Sequence, residues 1–227
     1  MKRIIKWPLF ALLIFSFASC KKNDYLVGGD LHNPQFNGTT YEYLQTNPLF
    51  DTLLLLIDRT GLQEEVNAAG STFFAPSDYS IQHYVKKVVQ ARKRLEANDE
   101  NLVFEFSELD FDLLKDSLRA YLFPEKIERT GLTEDGAFFS AKDGEERHIS
   151  LRDDPTGEYQ TGGLTIIPQY IYFSKVIGTV DPIDNSDIPE AERDTRIVAQ
   201  TTGILTTNGV LHVLANSHIF TFATEPK

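Results

Sequence analysis

The sequence predicts an α+β fold, with N-terminal helices packed on a mainly antiparallel sheet, and three observations carry the expectation. Apolar residues recur at helical spacing as far as Leu118, they alternate with a period of two from Ala137 onward, and no repeat or regular strand–helix alternation joins the two parts. The composition permits a sizeable core: 227 residues, 41% hydrophobic and 24% charged. With 22 basic against 33 acidic side chains the formal charge is −11, which disfavours nucleic acid as a partner. A lone cysteine, Cys20, excludes an intramolecular disulfide and any multi-cysteine zinc site.

The chain opens with a basic end (Lys2, Arg3, Lys6) and an apolar run from Trp7 to Phe17. At 1.5 Å per residue this run is too short for a ~30 Å hydrocarbon core, so residues 1–19 are expected to be a cleaved export signal. Phe17-Ala18-Ser19-Cys20 resembles the lipobox of bacterial lipoproteins, which implies lipid on Cys20 as the new N-terminus. Cleavage there would take the formal charge from −11 to −14. Residues 20–38 are polar, carry Gly28, Gly29, Pro34 and Gly38, and are expected to form a tether reaching at most ~60 Å. A single domain over residues 39–224 should follow.

Thr39 and Glu42 have capping-box spacing and open a short helix. Asn47-Pro48 is an N-cap with proline at the first helical position, and Leu49, Phe50, Leu53, Leu54 and Ile57 lie on one face before Gly61. Ser71-Thr-Phe-Phe-Ala-Pro-Ser-Asp78 predicts a strand stopped by Pro76, then a helix capped by Ser77 or Asp78. Ile81, Tyr84, Val85, Val88 and Val89 continue that helix, whose Lys86, Lys87, Arg92, Lys93 and Arg94 are expected to be solvated and neutralised by nearby acids. Phe111, Leu113, Leu114 and Leu118 mark a further helix, with Ser107 or Asp110 as cap, ending near Pro124. Residues 137–141 and 147–151 form a predicted hairpin across Asp143-Gly144, and strands are expected at 164–167, 171–177 and 196–202. Asn208-Gly209 suits a two-residue turn pairing Thr207 with Val210 and Leu205 with His212, which makes His212 a core histidine.

Three of these segments together resemble a fasciclin domain, a family of extracellular and cell-envelope adhesion modules. They are Phe74, Ala75, Pro76, Ser77 and Asp78; Tyr121 through Pro124 to Ile127; and Asn208, Gly209 and His212 in Asn-Gly-Val-Leu-His-Val. The resemblance implies a fasciclin-like wedge or sandwich and a structural or adhesive role for these positions. Leu122 stands where the family usually has histidine, and extra sequence is expected near residues 90–108 and 134–195. The second insertion holds Phe138, Phe139, Tyr159, Tyr170, Tyr172 and Phe173, from which candidate ligand-contact aromatics are Phe138, Phe139, Tyr159 and Tyr170.

No nucleophile elbow, phosphate loop, zinc-protease helix or dinucleotide fingerprint occurs, so no cofactor and no catalytic residue is expected. Asp181 to Asp187 with Glu190 is rich in oxygen ligands but fails the EF-hand spacing, and a polar surface loop rather than a metal site is expected. The expected function is a non-catalytic, lipid-anchored envelope module, at the outer membrane, binding a protein or a glycan. The alternatives are an accessory lipoprotein of an outer-membrane glycan-uptake complex and, behind it, a glycan-acting hydrolase.

Overall fold

The helical part begins where its capping signals stand. The structure, a computed structural model, describes residues 34–95, 105–153, 159–161 and 164–221. The export signal, Cys20, the tether up to residue 33 and residues 222–224 therefore lie outside the described residues, as do residues 96–104 of the first insertion. Helix α1 (Thr40–Gln45) starts at a complete capping box: the Thr39 hydroxyl accepts from the Glu42 N–H at 3.2 Å and the Glu42 carboxylate from the Thr39 N–H at 2.7 Å. A 3₁₀ turn, Pro48–Phe50, capped by Asn47, leads into α2 (Asp51–Thr60), which ends at Gly61 with φ +69°. Leu53, Leu56 and Ile57 of α2 are fully buried. Short α3 (Gln63–Val66) precedes β1 (Ser71–Ala75), and α4 (Asp78–Leu95) and α5 (Phe111–Arg119) follow. Asp110, rather than Ser107, caps α5 by accepting from the Asp112 and Leu113 N–H groups.

Eight further strands come after α5: β2 (Leu122–Phe123), β3 (Ala137–Ser140), β4 (Glu146–Asp153), β5 (Tyr159–Thr161), β6 (Leu164–Ile166), β7 (Gln169–Lys175), β8 (Thr195–Leu205) and β9 (Gly209–Leu214). Seven form one sheet in the order β2-β1-β9-β8-β7-β4-β3, and β5 and β6 form a separate ribbon. The fold is α+β. Every pairing in the large sheet is antiparallel except β1 with β9, and those two strands are buried along their whole length, as a parallel pair covered on both sides should be. β8 joins two half-sheets, pairing with β7 through Thr195–Val198 and with β9 through Ala199–Leu205, with register irregularities between Ala199 and Ile204. Such irregularities bend a strand, which lets β8 serve both halves.

Two expectations are corrected. Leu205 pairs with Val210 and Ile204 with Leu211, so the β8–β9 turn is centred on Thr207-Asn208, one residue earlier than the Asn208-Gly209 turn expected, and Leu205 does not face His212. The cause is tertiary. A Cβ on Gly209 would lie 2.1 Å from the Ser71 carbonyl oxygen, so Gly209 is needed where β9 meets β1 and not at a turn position. The folded body also starts before Thr39, because Gln35 bridges to Leu205 and the Phe36 N–H donates to the Leu205 carbonyl at 2.8 Å.

The core lies between the helices and one face of the sheet. Phe73, Phe74, Tyr121, Phe123, Phe173 and Phe220 are all buried within it. Phe74 stacks on Phe173 with ring centroids 4.7 Å apart. Each such side chain contributes roughly 1.5–3 kcal/mol by leaving water.

Candidate functional site

The motif positions converge on the seam between β1, β9 and the segment before β2, and most of them are buried there. Phe74, Ala75, Ser77, Tyr121 and His212 have no solvent exposure. Pro76 and Gly209 are also buried, Asp78 and Asn208 are half-buried, and Pro124 is exposed. Phe74 lies across the strand pair from His212 and stacks on it at 4.6 Å. His212 accepts from the Gly203 N–H at Nδ1 (3.2 Å), so Nε2 carries the proton and donates to the Ile127 carbonyl (2.8 Å). Burial lowers its pKa to about 4, and both ring nitrogens are engaged as a neutral imidazole. The Tyr121 hydroxyl accepts from the Thr221 N–H at 3.2 Å and donates to His218 Nε2 at 2.7 Å, while burial raises the tyrosine's pKa and lowers that of His218 to about 3.

Ser77 or Asp78 is the cap the sequence predicts for α4, and the Asp78 carboxylate is directed elsewhere. Its two oxygens accept from the Thr52 and Leu53 N–H groups at 2.9 and 3.0 Å, which closes the first turn of α2. The Ser77 hydroxyl is buried without a hydrogen-bond partner among the described residues. Asn208 ties three elements together: its Oδ1 accepts from the Thr40 N–H at 2.7 Å, its Nδ2 donates to the Val66 carbonyl at 3.3 Å, and its own carbonyl accepts from the Gly70 N–H at 2.7 Å.

The three candidate aromatics whose side chains are described do not gather. Phe138 is half-exposed on the edge strand β3, edge-to-face with His148, whereas Phe139 packs from the opposite face against the core. Tyr170 is half-buried on β7, and the side chain of Tyr159 lies outside the described residues. What the structure does assemble is a cleft of about 370 Å³ on the outer face of the sheet, lined by Arg152, Asp153, Tyr172, Ile183, Asn185, Asp194 and Arg196. Six of these seven fall within residues 134–195, the segment the sequence marks as the longer insertion.

Strand register explains the grouping. Arg152 pairs with Tyr170, Ser150 with Tyr172, and Ser174 with Arg196, so the two arginines flank Tyr172 diagonally on one face. The second wall is the segment 181–194, closed by a reciprocal clamp: the Asp181 N–H donates to the Asp194 carboxylate and the Asp194 N–H to the Asp181 carboxylate, each at 2.8 Å. The Asp194 N–H and the Asn185 amide hold the Asp181 carboxyl below the usual carboxylate range. Arg196 braces the segment by donating to the Asp181 and Ile183 carbonyls. These carboxylates are thus committed to backbone amides, and no cluster of three metal-ligating side chains occurs among the described residues. A second cleft, about 500 Å³, lies beside Lys87, Arg196, His218 and Thr221 and has no aromatic platform among its lining residues.

Sequence reasoning singled out Tyr172 only as one of several aromatics, placed Asn185 only in a polar surface loop, and missed Arg152 and Arg196. The signal was present in the alternation His148-Ser150-Arg152 and Tyr170-Tyr172-Ser174, which puts polar residues on a sheet face without helices. No known family model matches this chain, and no curated protein does. Among solved structures, similarity is found to a FAS1 domain pair from the insect cell adhesion molecule fasciclin I, at 14% identity with a TM-score of 0.49. That match covers 83% of this chain and 51% of the other, so the chain spans about half the length of that structure.

Proposed function

We propose that the chain is a non-catalytic recognition module of the cell envelope, held at the outer membrane by lipid on Cys20, that binds a protein or a glycan through the outer face of its sheet. The observation that carries this reading is the open cleft of Arg152, Tyr172 and Asn185, set apart from the buried histidines. The best-placed acid–base groups are otherwise occupied: His212 has a partner on each ring nitrogen and His218 receives the Tyr121 hydroxyl. Anchoring is supported by Phe17-Ala18-Ser19-Cys20 directly after a short apolar run. Among the described residues no helix is long and apolar enough to cross a membrane.

Labelling cells with a palmitate analogue tests the anchor. Wild-type protein should take up label and sediment with membranes, and Cys20→Ala should lose both properties. Wild-type protein that is unlabelled and released on lysis would defeat the anchored reading. The tethered protein should also capture a binding partner from native envelope, whereas turnover of an envelope polysaccharide by the purified protein would overturn the non-catalytic part.

A further inference from the structure

The geometry points to a neutral saccharide as the ligand of the Arg152–Tyr172–Asn185 cleft. This inference deepens the recognition reading and rests on it. The deciding feature is which polar groups in the cleft remain unengaged. Both Asp194 oxygens are taken by the Ile177 and Asp181 N–H groups, and Arg196 is turned onto the Asp181 and Ile183 carbonyls. Arg152 donates its Nε–H to the Glu134 carbonyl at 3.1 Å, and its two terminal nitrogens have no partner among the described residues. Asp153, next to Arg152 on β4, turns its side chain to the other face and accepts there from Gln169, whereas Asn185 uses its amide nitrogen on Asp181, leaving its carbonyl oxygen without a partner among the described residues.

The open groups are therefore one guanidinium fork of donors and one amide-oxygen acceptor, arranged around a half-buried tyrosine with the exposed apolar Ile183 at the rim. A pair of neighbouring hydroxyls fits that set, because each hydroxyl both donates and accepts: oxygens to the Arg152 fork, a proton to the Asn185 amide oxygen. The apolar face of a sugar ring would lie against Tyr172, as amphipathic rings do. Charge argues the same way. Arg152 and Arg196 stand against the Asp194 and Asp181 carboxylates of the clamp, so the cleft has no surplus positive charge for an anion, and the protein as a whole carries −11. The volume suits a short segment of glycan, being at the small end of the ~300–1,000 Å³ usual for ligand sites.

The test uses full-length lipidated protein in detergent and titrates a panel of neutral hexose and pentose trisaccharides, a uronic-acid trisaccharide and a glutamate-rich peptide. At least one neutral trisaccharide should bind, with little dependence on salt. Arg152→Met should weaken it tenfold or more, the scale of one lost charge-assisted hydrogen bond, and Tyr172→Leu should weaken it several-fold through the lost ring contact, with the thermal midpoint of each variant checked alongside. Binding confined to the uronate or the peptide, weakened by salt and by Arg152→Met, overturns the neutral-sugar inference and leaves the recognition reading standing. Neutral-sugar binding untouched by both variants, in protein that still melts normally, overturns the assignment to this cleft. If no probe binds but envelope capture yields a partner, the saccharide inference fails alone; if capture is blank as well, both readings fail.

Discussion

Gly209 and Asn208 show how one residue can carry a signal whose obvious reading is displaced by a contact distant in sequence. In isolation the dipeptide favours a tight turn. In the folded chain Gly209 sits against the Ser71 backbone, where an added Cβ would meet the carbonyl oxygen at 2.1 Å, and Asn208 caps the space between α1, α3 and β1. Gly209→Ala should therefore force β1 and β9 apart and destabilise the protein by about 1–3 kcal/mol, the range for overpacking a filled interior. Gly131→Ala is the matched control, since nothing lies within 4 Å of its Cβ position. Urea unfolding should show a lower midpoint with unchanged slope for Gly209→Ala and little change for Gly131→Ala. Equal midpoints for the two variants would remove the steric account of the register.

At the scale of elements, what could be read from the sequence was whatever depends on neighbours in the chain. The capping box at Thr39, the Asn47-Pro48 start, the Gly61 stop, the Asp110 cap and the hairpin across Asp143-Gly144 all stand in the structure, because each is a bond or dihedral preference within a few residues. The β8–β9 register, the parallel pairing of β1 with β9 and the capping target of Asp78 were not readable, since each is decided by a partner far along the chain. The cleft was legible only as a region: residues 134–195 were the place to look, but which aromatic would meet Arg152 depended on the β4–β7–β8 register. The Asp78 contact yields a contrast between adjacent motif positions. Asp78→Ala removes the only side-chain acceptor at the first turn of α2 among the described residues and should cost about 0.5–2 kcal/mol. Ser77→Ala removes a buried hydroxyl without a partner among the described residues and should be neutral or slightly stabilising. Chemical denaturation of both variants checks the pair, and a larger loss at Ser77 than at Asp78 would refute the distal cap.

For the whole molecule, the buried histidines and the committed carboxylates make stability fall on the acid side. His212 and His218 are held neutral, with pKa values lowered by burial to about 4 and about 3, and burial also lowers that of His148. In the unfolded chain each would take up a proton near pH 6.5. As pH falls below that value the unfolded state binds protons the folded state refuses, so stability declines until the folded pKa values are reached. Depressed carboxyls act in the same direction: Glu65, hydrogen-bonded to Arg119, and Asp181, bonded to the Asp194 backbone, lose their contribution as pH falls through their lowered folded values. The histidines act first, between pH 6.5 and about 4, and the carboxyls follow below the unfolded carboxylate range. Urea-unfolding free energies measured from neutral pH downward should therefore bend toward lower stability near pH 6.5, before any carboxylate titrates. The slope should approach that of two to three protons, each worth about 1.4 kcal/mol per pH unit. His212→Gln should flatten that upper limb by about one proton while leaving the lower, carboxyl-driven limb in place. A stability profile that stays level between pH 6.5 and 5 would mean that these imidazoles do not remain neutral in the folded chain, and the hydrogen-bonded seam of Phe74, His212 and Ile127 would then need a different protonation state.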